Sequence, residues 1–252
     1  MLDGMTMATQ GMVNMSLRQD VIANNLANVG TAGFRKDDLM VSSFSKVMKH
    51  QLGKEAGFMQ CGEGVDSDGA LYSTNITHQA QGSLKETGNT FDLALDDNGA
   101  GFFTIQTPEG IKFSRNGSFR LSTSGYLVTQ DGSFVMGHKG PIKMSGNNFT
   151  VNNEGVISVD GQEMDKLLIT TFDDRKGLSK SGDNNFTASS GARVFTGFQL
   201  KQGFIEMSNV NAIKEMVDMI TVMRAFEANQ KVLQAQAQAL QKSTSEVGRV
   251  KG

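Results

Sequence analysis

Residues 208–250 read SNVNAIKEMVDMITVMRAFEANQKVLQAQAQALQKSTSEVGRV, and their periodicity is the strongest structural signal in the chain. Alternating steps of four and three residues meet apolar side chains at every position except Gln230 and Thr244. An apolar repeat of about 3.5 residues over this length is typical of a coiled-coil helix. We therefore predict a C-terminal helix in residues 208–252, with its stripe at Ala212, Met216, Met219, Met223, Phe226, Gln230, Leu233, Ala237, Leu240, Thr244 and Val247.

The N-terminus has the same pattern, which predicts a second helix within the N-terminal segment 1–34, ending near Asn28. Only Asp3, Arg18 and Asp20 are charged between residues 1 and 33, so an ordinary solvated face is missing. Two interpretations remain open: the helices close one globular core, or they form a coiled-coil-like pair that also contacts other copies. We favour the second. The N-terminal stripe is Met1, Met5, Ala8, Met12, Met15, Gln19, Ile22, Leu26 and Val29.

Residues 82–207 change to a period of two, which is typical of β-strands. Dipeptides such as Asn116-Gly117, Asp131-Gly132 and Asp160-Gly161 separate the short alternating runs, and such pairs are strong hairpin signals. Residues 167–172 have the unbroken apolar character of a buried strand. We predict an inserted all-β domain of short antiparallel strands, and hence an α+β fold overall.

Residues 35–81 show no clear period, and we interpret them as an extended arm or linker. Residues 39–41 and 44–48 fit a strand, an arm or a short helix equally well. The Gly-rich residues 53–69 are typical of a loop or hinge.

The composition argues against several classes of protein. A net charge of −2 and a pI near 5.9 give no electrostatic reason to expect nucleic acid as a partner. The single cysteine, Cys61, cannot form an internal disulfide. We expect a protein that is not membrane-embedded and has no cleaved secretory signal peptide, because neither type of apolar segment is visible.

Candidate chemistry is equally sparse. His50, His78 and His138 stand in unrelated contexts without metal-ligand spacing. Residues 65–69 faintly resemble the start of a calcium loop, but Asn75 stands where the final Glu is required. The Gly-rich residues 96–101 precede a strand instead of opening a helix, which argues against phosphate binding. We predict no catalytic residue, no metal and no cofactor, so the chain is not expected to be an enzyme.

Three strings in the right order resemble the bacterial flagellar rod and hook protein family. They are NNLANVGTAGF at residues 24–34, GSLKETGNTFDLAL with GFFTIQTPEG in residues 82–110, and SNVNAIKEMVDMI with RAFEANQKV in residues 208–232. The resemblance spans nearly the whole chain and is weakest over residues 35–81. The sequence departs from the family pattern at Gly30, where Asn is usual, at Thr90, where Pro is frequent, and at residues 96–99, which are about two residues longer than usual.

The resemblance implies a structural subunit of the flagellar basal-body rod. The chain length favours a rod protein over the larger hook protein, and the ending EVGRV at residues 246–250 favours the proximal over the distal rod. Family membership implies export through the flagellar type III apparatus without a cleaved signal. It also implies assembly with other copies and with neighbouring rod and hook proteins around a central channel, with the helices inside and the β domain outside.

The terminal motifs supply the predicted subunit interface. We expect Ile22, Leu26 and Val29 to face the apolar stripe of the C-terminal helix, and Arg224 and Glu227 to share one helix face. The predicted interface residues are Met12, Met15, Ile22, Asn25, Leu26, Asn28, Val29, Phe34, Asn209, Met216, Met219, Ile220, Met223, Arg224, Phe226, Glu227, Leu233 and Leu240.

Two other classes of function remain as alternatives. The first is a secreted β-domain binding or adhesion module that a coiled coil oligomerises. The second is a hydrolase of cell-wall glycan, which would need a pair of carboxylates in a cleft; no such acidic pair stands out in the sequence.

Overall fold

The computed structural model describes residues 2–43, 71–144, 149–173, 177–182, 184–188 and 191–249. Cys61, His50, residues 44–48 and the predicted loop at 53–69 lie outside the described residues. The chain forms two units. Unit 1 comprises Met1–Leu26, Asp37–Thr77 and Ala212–Gly252, and unit 2 comprises Ala27–Lys36 and His78–Asn211.

Unit 1 contains the two terminal helices and a two-stranded ribbon. Helix α1 spans Leu2–Ala27 and helix α2 spans Ala212–Arg249. Both predicted helices are confirmed, although α2 begins four residues after the predicted start at Ser208, because residues 208–211 are extended. Strands β1 (Asp37–Ser43) and β2 (Leu71–Thr77) pair antiparallel from Asp37 opposite Thr77 to Ser43 opposite Leu71.

Unit 2 is the predicted β-rich region, and all of its described strand pairs are antiparallel. Its strands are β3 (Leu84–Glu86), β4 (Leu93–Asp96), β5 (Gly101–Thr107), β6 (Gly110–Ser114), β7 (Phe119–Leu121), β8 (Leu127–Thr129), β9 (Phe134–Gly137), β10 (Gly140–Pro141), β11 (Phe149–Val151), β12 (Val156–Val159), β13 (Gln162–Lys166), β14 (Ile169–Phe172), β15 (Leu178–Lys180), β16 (Asn185–Ala188), β17 (Ala192–Val194), β18 (Gln199–Gln202) and β19 (Phe204–Glu206).

Strand β5 is the centre of the largest sheet. One edge of β5 pairs with β6 along its length, and the other edge pairs first with β14 and then with β9. The main path through this sheet runs β15-β16-β6-β5-β9-β8-β7. Smaller sheets are β11-β12-β13, β18-β4 and β19-β3. The last two pairs join the start of the β domain to its end, which closes unit 2 just before α2 begins.

Unit 2 has two buried apolar clusters. The larger draws on β4, β5, β8, β11, β12, β14 and β18, and its fully buried members include Leu93, Leu127, Ile157 and Ile169. The smaller is aromatic: the rings of Phe113 and Phe172 meet edge to face at 4.8 Å, and Phe102 packs edge to face on Phe186 at 5.6 Å. Of the predicted buried strand at residues 167–172, four residues are buried and Leu168 and Thr171 are half-buried, and the strand itself begins only at Ile169.

Most of the turn dipeptides form the predicted hairpins. Asp160 and Gly161 both have positive φ, at 52° and 83°, and connect β12 to β13 in two residues. Asn116-Gly117 is an exception, because β6 and β7 are not neighbours in the sheet. Gly117 is required there for another reason: a Cβ would lie 1.6 Å from the carbonyl oxygen of Leu93, whose amide bonds to Gly117 O at 3.0 Å.

Candidate assembly site

The clearest candidate site is a row of large apolar side chains on the first half of α2. Five of them are between 46% and 76% exposed, although each is a side chain that normally favours burial. We call this set the apolar ridge: Ile213, Met216, Val217, Ile220 and Met223. The spacing of three and four residues places them on one side of the helix. Exposed apolar patches of this kind mark interaction surfaces.

The predicted stripe of α2 divides into two rows, one half-buried and one exposed. Ala212, Met219, Phe226, Leu233 and Leu240 are half-buried, and Met216, Met223, Gln230, Ala237 and Thr244 are exposed. The covered face instead includes Glu215, Val222, Asn229 and Gln236, each one residue before an exposed position from Met216 to Ala237, and of these Glu215 and Val222 are buried. Among the other predicted interface residues, Arg224 and Glu227 are exposed.

Contacts between the two helices involve small and polar residues. The side-chain amide of Asn25 donates to Glu215 Oε2 at 3.3 Å, and both side chains are buried. A Cβ on Gly4 would lie 2.8 Å from the side chain of Gln236, and a Cβ on Gly11 would lie 3.1 Å from that of Asn229. On α1, Ala8 and Ile22 are buried, Met12, Met15 and Leu26 are half-buried, and Met7, Val13 and Leu17 are exposed.

The loop after α1, which carries the end of the NNLANVGTAGF string, lies against its own β domain in unit 2. Phe34 is buried, and the ammonium of Lys180 lies 4.2 Å from the centre of its ring while donating to Arg35 O at 2.7 Å. The side chain of Asn184 donates to Ala32 O at 2.9 Å. At the start of the loop, Val29 is half-buried, and the backbone carbonyl of Asn28 accepts from the amide of Thr31 at 3.1 Å.

A buried cluster of four charged side chains, which no pattern in the sequence predicts, lies beside this loop. Arg35, Asp97, Arg115 and Glu206 have side chains at most 1% exposed. Arg35 Nη1 lies 2.6 Å from Glu206 Oε1, and Arg115 Nη2 lies 2.9 Å from both Glu206 Oε2 and Asp97 Oδ1. Two guanidinium groups therefore balance two carboxylates, which is the condition under which buried charges are tolerated.

Each member of this cluster has further hydrogen bonds within unit 2. Glu206 Oε1 accepts from the amide of Gly82 at 2.9 Å, and Arg35 Nη1 donates to Ala80 O at 2.6 Å. Burial lowers the pKa of the Arg35 guanidinium, while the adjacent Glu206 carboxylate opposes that shift.

The Gly-rich loop at residues 96–101 is organised around Asp97. Its carboxylate accepts the amides of Gly99 at 2.9 Å, Ala100 at 3.2 Å and Gly101 at 2.6 Å. The three amides are therefore already bonded to a side chain of the chain itself.

The replacement of Gly33 by Ala is expected to destabilise unit 2 strongly, whereas the same change at Gly30 should be nearly neutral. Gly33 has a φ of +68°, and a Cβ there would lie 2.5 Å from the backbone of Arg115 and Asn116. The left-handed backbone alone costs about 1–2 kcal/mol for a residue with a Cβ. At Gly30 no described heavy atom lies within 4 Å of the added Cβ.

Thermal unfolding of the two variants measures this difference. A fall in stability of at least about 2 kcal/mol is expected for Gly33→Ala, and a change within about 0.5 kcal/mol for Gly30→Ala. Equal effects of the two changes would contradict the docking of this loop against Arg115.

Within the described residues, no helix is long and apolar enough to cross a membrane. In the same part of the chain, no group of three or more His, Cys, Asp or Glu side chains is arranged to hold a metal ion.

Three family models match the chain in order. The flagella basal body rod protein model matches residues 5–35, the flagellar hook protein FlgE/F/G D1 domain matches residues 98–159, and the flagellar basal body rod FlgEFG protein C-terminal model matches residues 201–246. The first and third contain the two terminal motifs, and the second contains the centre of the β domain.

Curated relatives match over almost their whole length. The flagellar basal-body rod protein FlgG of Buchnera aphidicola subsp. Acyrthosiphon pisum is 35% identical over 96% of this chain and 98% of its own. FlgF of Caulobacter vibrioides is 31% identical over 94% and 95%, and the hook-basal body complex protein FlhO of Bacillus subtilis is 28% identical over 99% and 100%. The chain therefore belongs to the family of flagellar basal-body rod proteins, as the terminal motifs and the β domain between them indicate.

Proposed function

We propose that the chain is a structural subunit of the bacterial flagellar basal-body rod, which polymerises through its terminal helices into a tube that transmits torque and surrounds the export channel. Its partners are then other copies of itself, the adjacent rod and hook proteins and, during delivery, the flagellar export apparatus. Placement in the proximal part of the rod, and export without a cleaved signal peptide, are parts of the same proposal.

The observation that carries this proposal is the exposed apolar ridge on α2. Five large apolar side chains within eleven consecutive residues stay accessible in the single chain, although water disfavours their exposure. A contact between unlike surfaces of successive copies does not close on itself and generates an open helical array. Burial of the ridge by the next copy supplies the driving force for that array.

The pairing of the two helices within one chain is the second part of the proposal. Three pairs of residues are neighbours across the two helices: Gly4 and Gln236, Gly11 and Asn229, and Asn25 and Glu215. Residues later in α1 therefore contact residues earlier in α2. Such a register is that of an antiparallel helix pair. Because the contacts use Gly, Asn and Gln, the pairing leaves the ridge residues for other copies.

Cysteines at Gly11 and Asn229 are expected to form a disulfide rapidly and in high yield in the dilute full chain, once Cys61 is replaced by Ser. The ideal Cβ of Gly11 lies 3.1 Å from Asn229 Nδ2 and 3.7 Å from Asn229 Cγ, the atom bonded to the Asn229 Cβ, so the two positions face each other close to the Cβ separation of about 3.5–4.5 Å in disulfides. Non-reducing electrophoresis after mild oxidation measures the yield.

The matched control pairs Gly11→Cys with Gln236→Cys, a position two turns further along the same face of α2. Two helical turns correspond to about 11 Å, which is beyond the reach of a disulfide. Similar cross-linking of both pairs would contradict the antiparallel register.

Electron microscopy of the concentrated protein tests the function itself. Tubes or stacked rings support the rod subunit, whereas discrete dimers or trimers favour the adhesion module.

A further inference from the structure

The chain passes between the two units four times, after residues 26, 36, 77 and 211. In unit 2 these passages belong to three segments: the loop 27–36, the segment that starts at His78, and the segment that ends at Asn211. The segments are distant in sequence, and each leads directly out of the β-rich unit. Hydrogen bonds and ion pairs join all three.

Asn209 contacts both of the other segments. Its Oδ1 accepts from the amide of Lys36 at 2.7 Å, and its Nδ2 donates to His78 O at 3.0 Å and to Ala80 O at 2.9 Å. One side chain therefore uses its acceptor on the loop after α1 and its donors on the segment after β2. An Ala side chain at position 209 could form none of these hydrogen bonds, and an ionised Asp side chain could accept from Lys36 but could not donate to His78 or Ala80.

Glu206 makes the same connection three residues earlier. Its backbone carbonyl accepts from the amide of Gly33 at 2.8 Å, and its carboxylate binds Arg35 and the amide of Gly82. The amide of His78 also donates to Lys36 O at 2.8 Å. Four backbone amides on two segments, those of Gly33, Lys36, His78 and Gly82, thus depend on one small network.

Unit 1 has a comparable polar residue of its own. The side chain of Asn25 accepts from the amide of Asp37 at 3.0 Å, donates to Asp37 O at 2.8 Å and also contacts Glu215. The hydroxyl of Thr77 donates to Asp37 Oδ1 at 2.6 Å. In unit 1 too, hydrogen bonds therefore join residues close to all four points at which the chain passes between the units.

We infer that Asn209 is a positioning residue that makes the three passage segments of unit 2 open and close as one cooperative element. Because the segments share hydrogen bonds, release of one removes partners from the others, so a load at one passage is distributed over all of them. Such a contiguous element has its own opening free energy, distinct from that of the surrounding sheet. The inference concerns unit 2 alone and stands whether or not the chain assembles.

Native-state hydrogen exchange of the full chain, resolved by residue, tests this role. In the unmodified protein the amides of Gly33, Lys36, His78 and Gly82 are expected to share one opening equilibrium. In Asn209→Ala all four should exchange at least about tenfold faster, by similar factors, although only the Lys36 amide bonds to Asn209 directly. Amides in the centre of β5 should be unchanged.

Asn152→Ala is the matched control, since the Asn152 side chain accepts from the amides of Glu154 at 3.0 Å and Val156 at 2.9 Å in a turn of the same unit. It should accelerate exchange in that turn and leave the four passage amides unchanged. Acceleration of Lys36 alone in Asn209→Ala would overturn the inference, because the segments would then open independently. Equal acceleration in β5 would also overturn it, since no separate cooperative element would exist.

Discussion

Replacement of Ile220 by Asp is expected to abolish self-assembly at concentrations where, on the proposed function, the unmodified chain forms tubes. Ile220 is 53% exposed in the single chain and lies at the centre of the apolar ridge. A carboxylate there must lose its water when a neighbouring copy covers it, without a compensating partner. The expected loss is about 2 kcal/mol or more per contact, which raises the critical concentration roughly 30-fold or more.

Sedimentation at increasing protein concentration measures that change, and electron microscopy identifies the product. Ile111→Asp is the matched control, because Ile111 is an equally bulky side chain, 59% exposed, in unit 2 and outside the ridge. It should leave the critical concentration unchanged. If Ile220→Asp assembles as readily as Ile111→Asp, the ridge is not an assembly surface.

Replacement of Glu206 by Gln is expected to lower the free energy of unfolding of the β-rich unit by about 3–5 kcal/mol. The change keeps the shape of the side chain but leaves Arg35 and Arg115 with only the Asp97 carboxylate, so one positive charge is buried without a counter-charge. For a chain of this size each kcal/mol lowers the melting temperature by about 2–4 °C. Thermal and denaturant unfolding measure the effect.

Asp173→Asn provides the comparison for an exposed ion pair. Asp173 and Arg193 lie 2.8 Å apart, but their side chains are 59% and 69% exposed. Such a pair contributes at most about 1 kcal/mol, so Asp173→Asn should hardly change the melting temperature. An effect of Glu206→Gln as small as that of Asp173→Asn would show that the cluster does not hold unit 2 together.

The helices and hairpins were predictable because each depends on a local pattern. The heptad spacing of α1 and α2 and the Asp160-Gly161 turn are readable from a few neighbouring residues. The sequence does not predict which row of α2 is covered. Met216 and Glu215 are adjacent, and it is the charged Glu215 that is buried while the apolar Met216 is exposed. The choice follows from the polar partner Asn25, far away in the sequence.

The buried charge cluster escaped prediction for a related reason. Arg35 is followed by Lys36, Asp37 and Asp38, which together have the composition of a solvated charged run. Only the three-dimensional fold places Arg35 beside Glu206. A weak signal was present in Asp97, whose position in a Gly-rich loop is typical of a carboxylate that accepts backbone amides. Asn116-Gly117 was wrongly predicted to form a hairpin. Gly is required at position 117 because the backbone of Leu93 approaches it closely, and the sequence alone does not distinguish this reason from a hairpin turn.

Sister copies are expected to cover the apolar ridge of α2 in the assembled material. The rate at which a thiol reagent labels Ile220→Cys before and after assembly, in a chain whose Cys61 is replaced by Ser, measures this burial. Ile111→Cys in the same background serves as the reference position. Labelling of position 220 is expected to become at least about tenfold slower in the assembled material, while labelling of position 111 keeps its rate. Equal labelling of position 220 in the dilute and assembled states would contradict it.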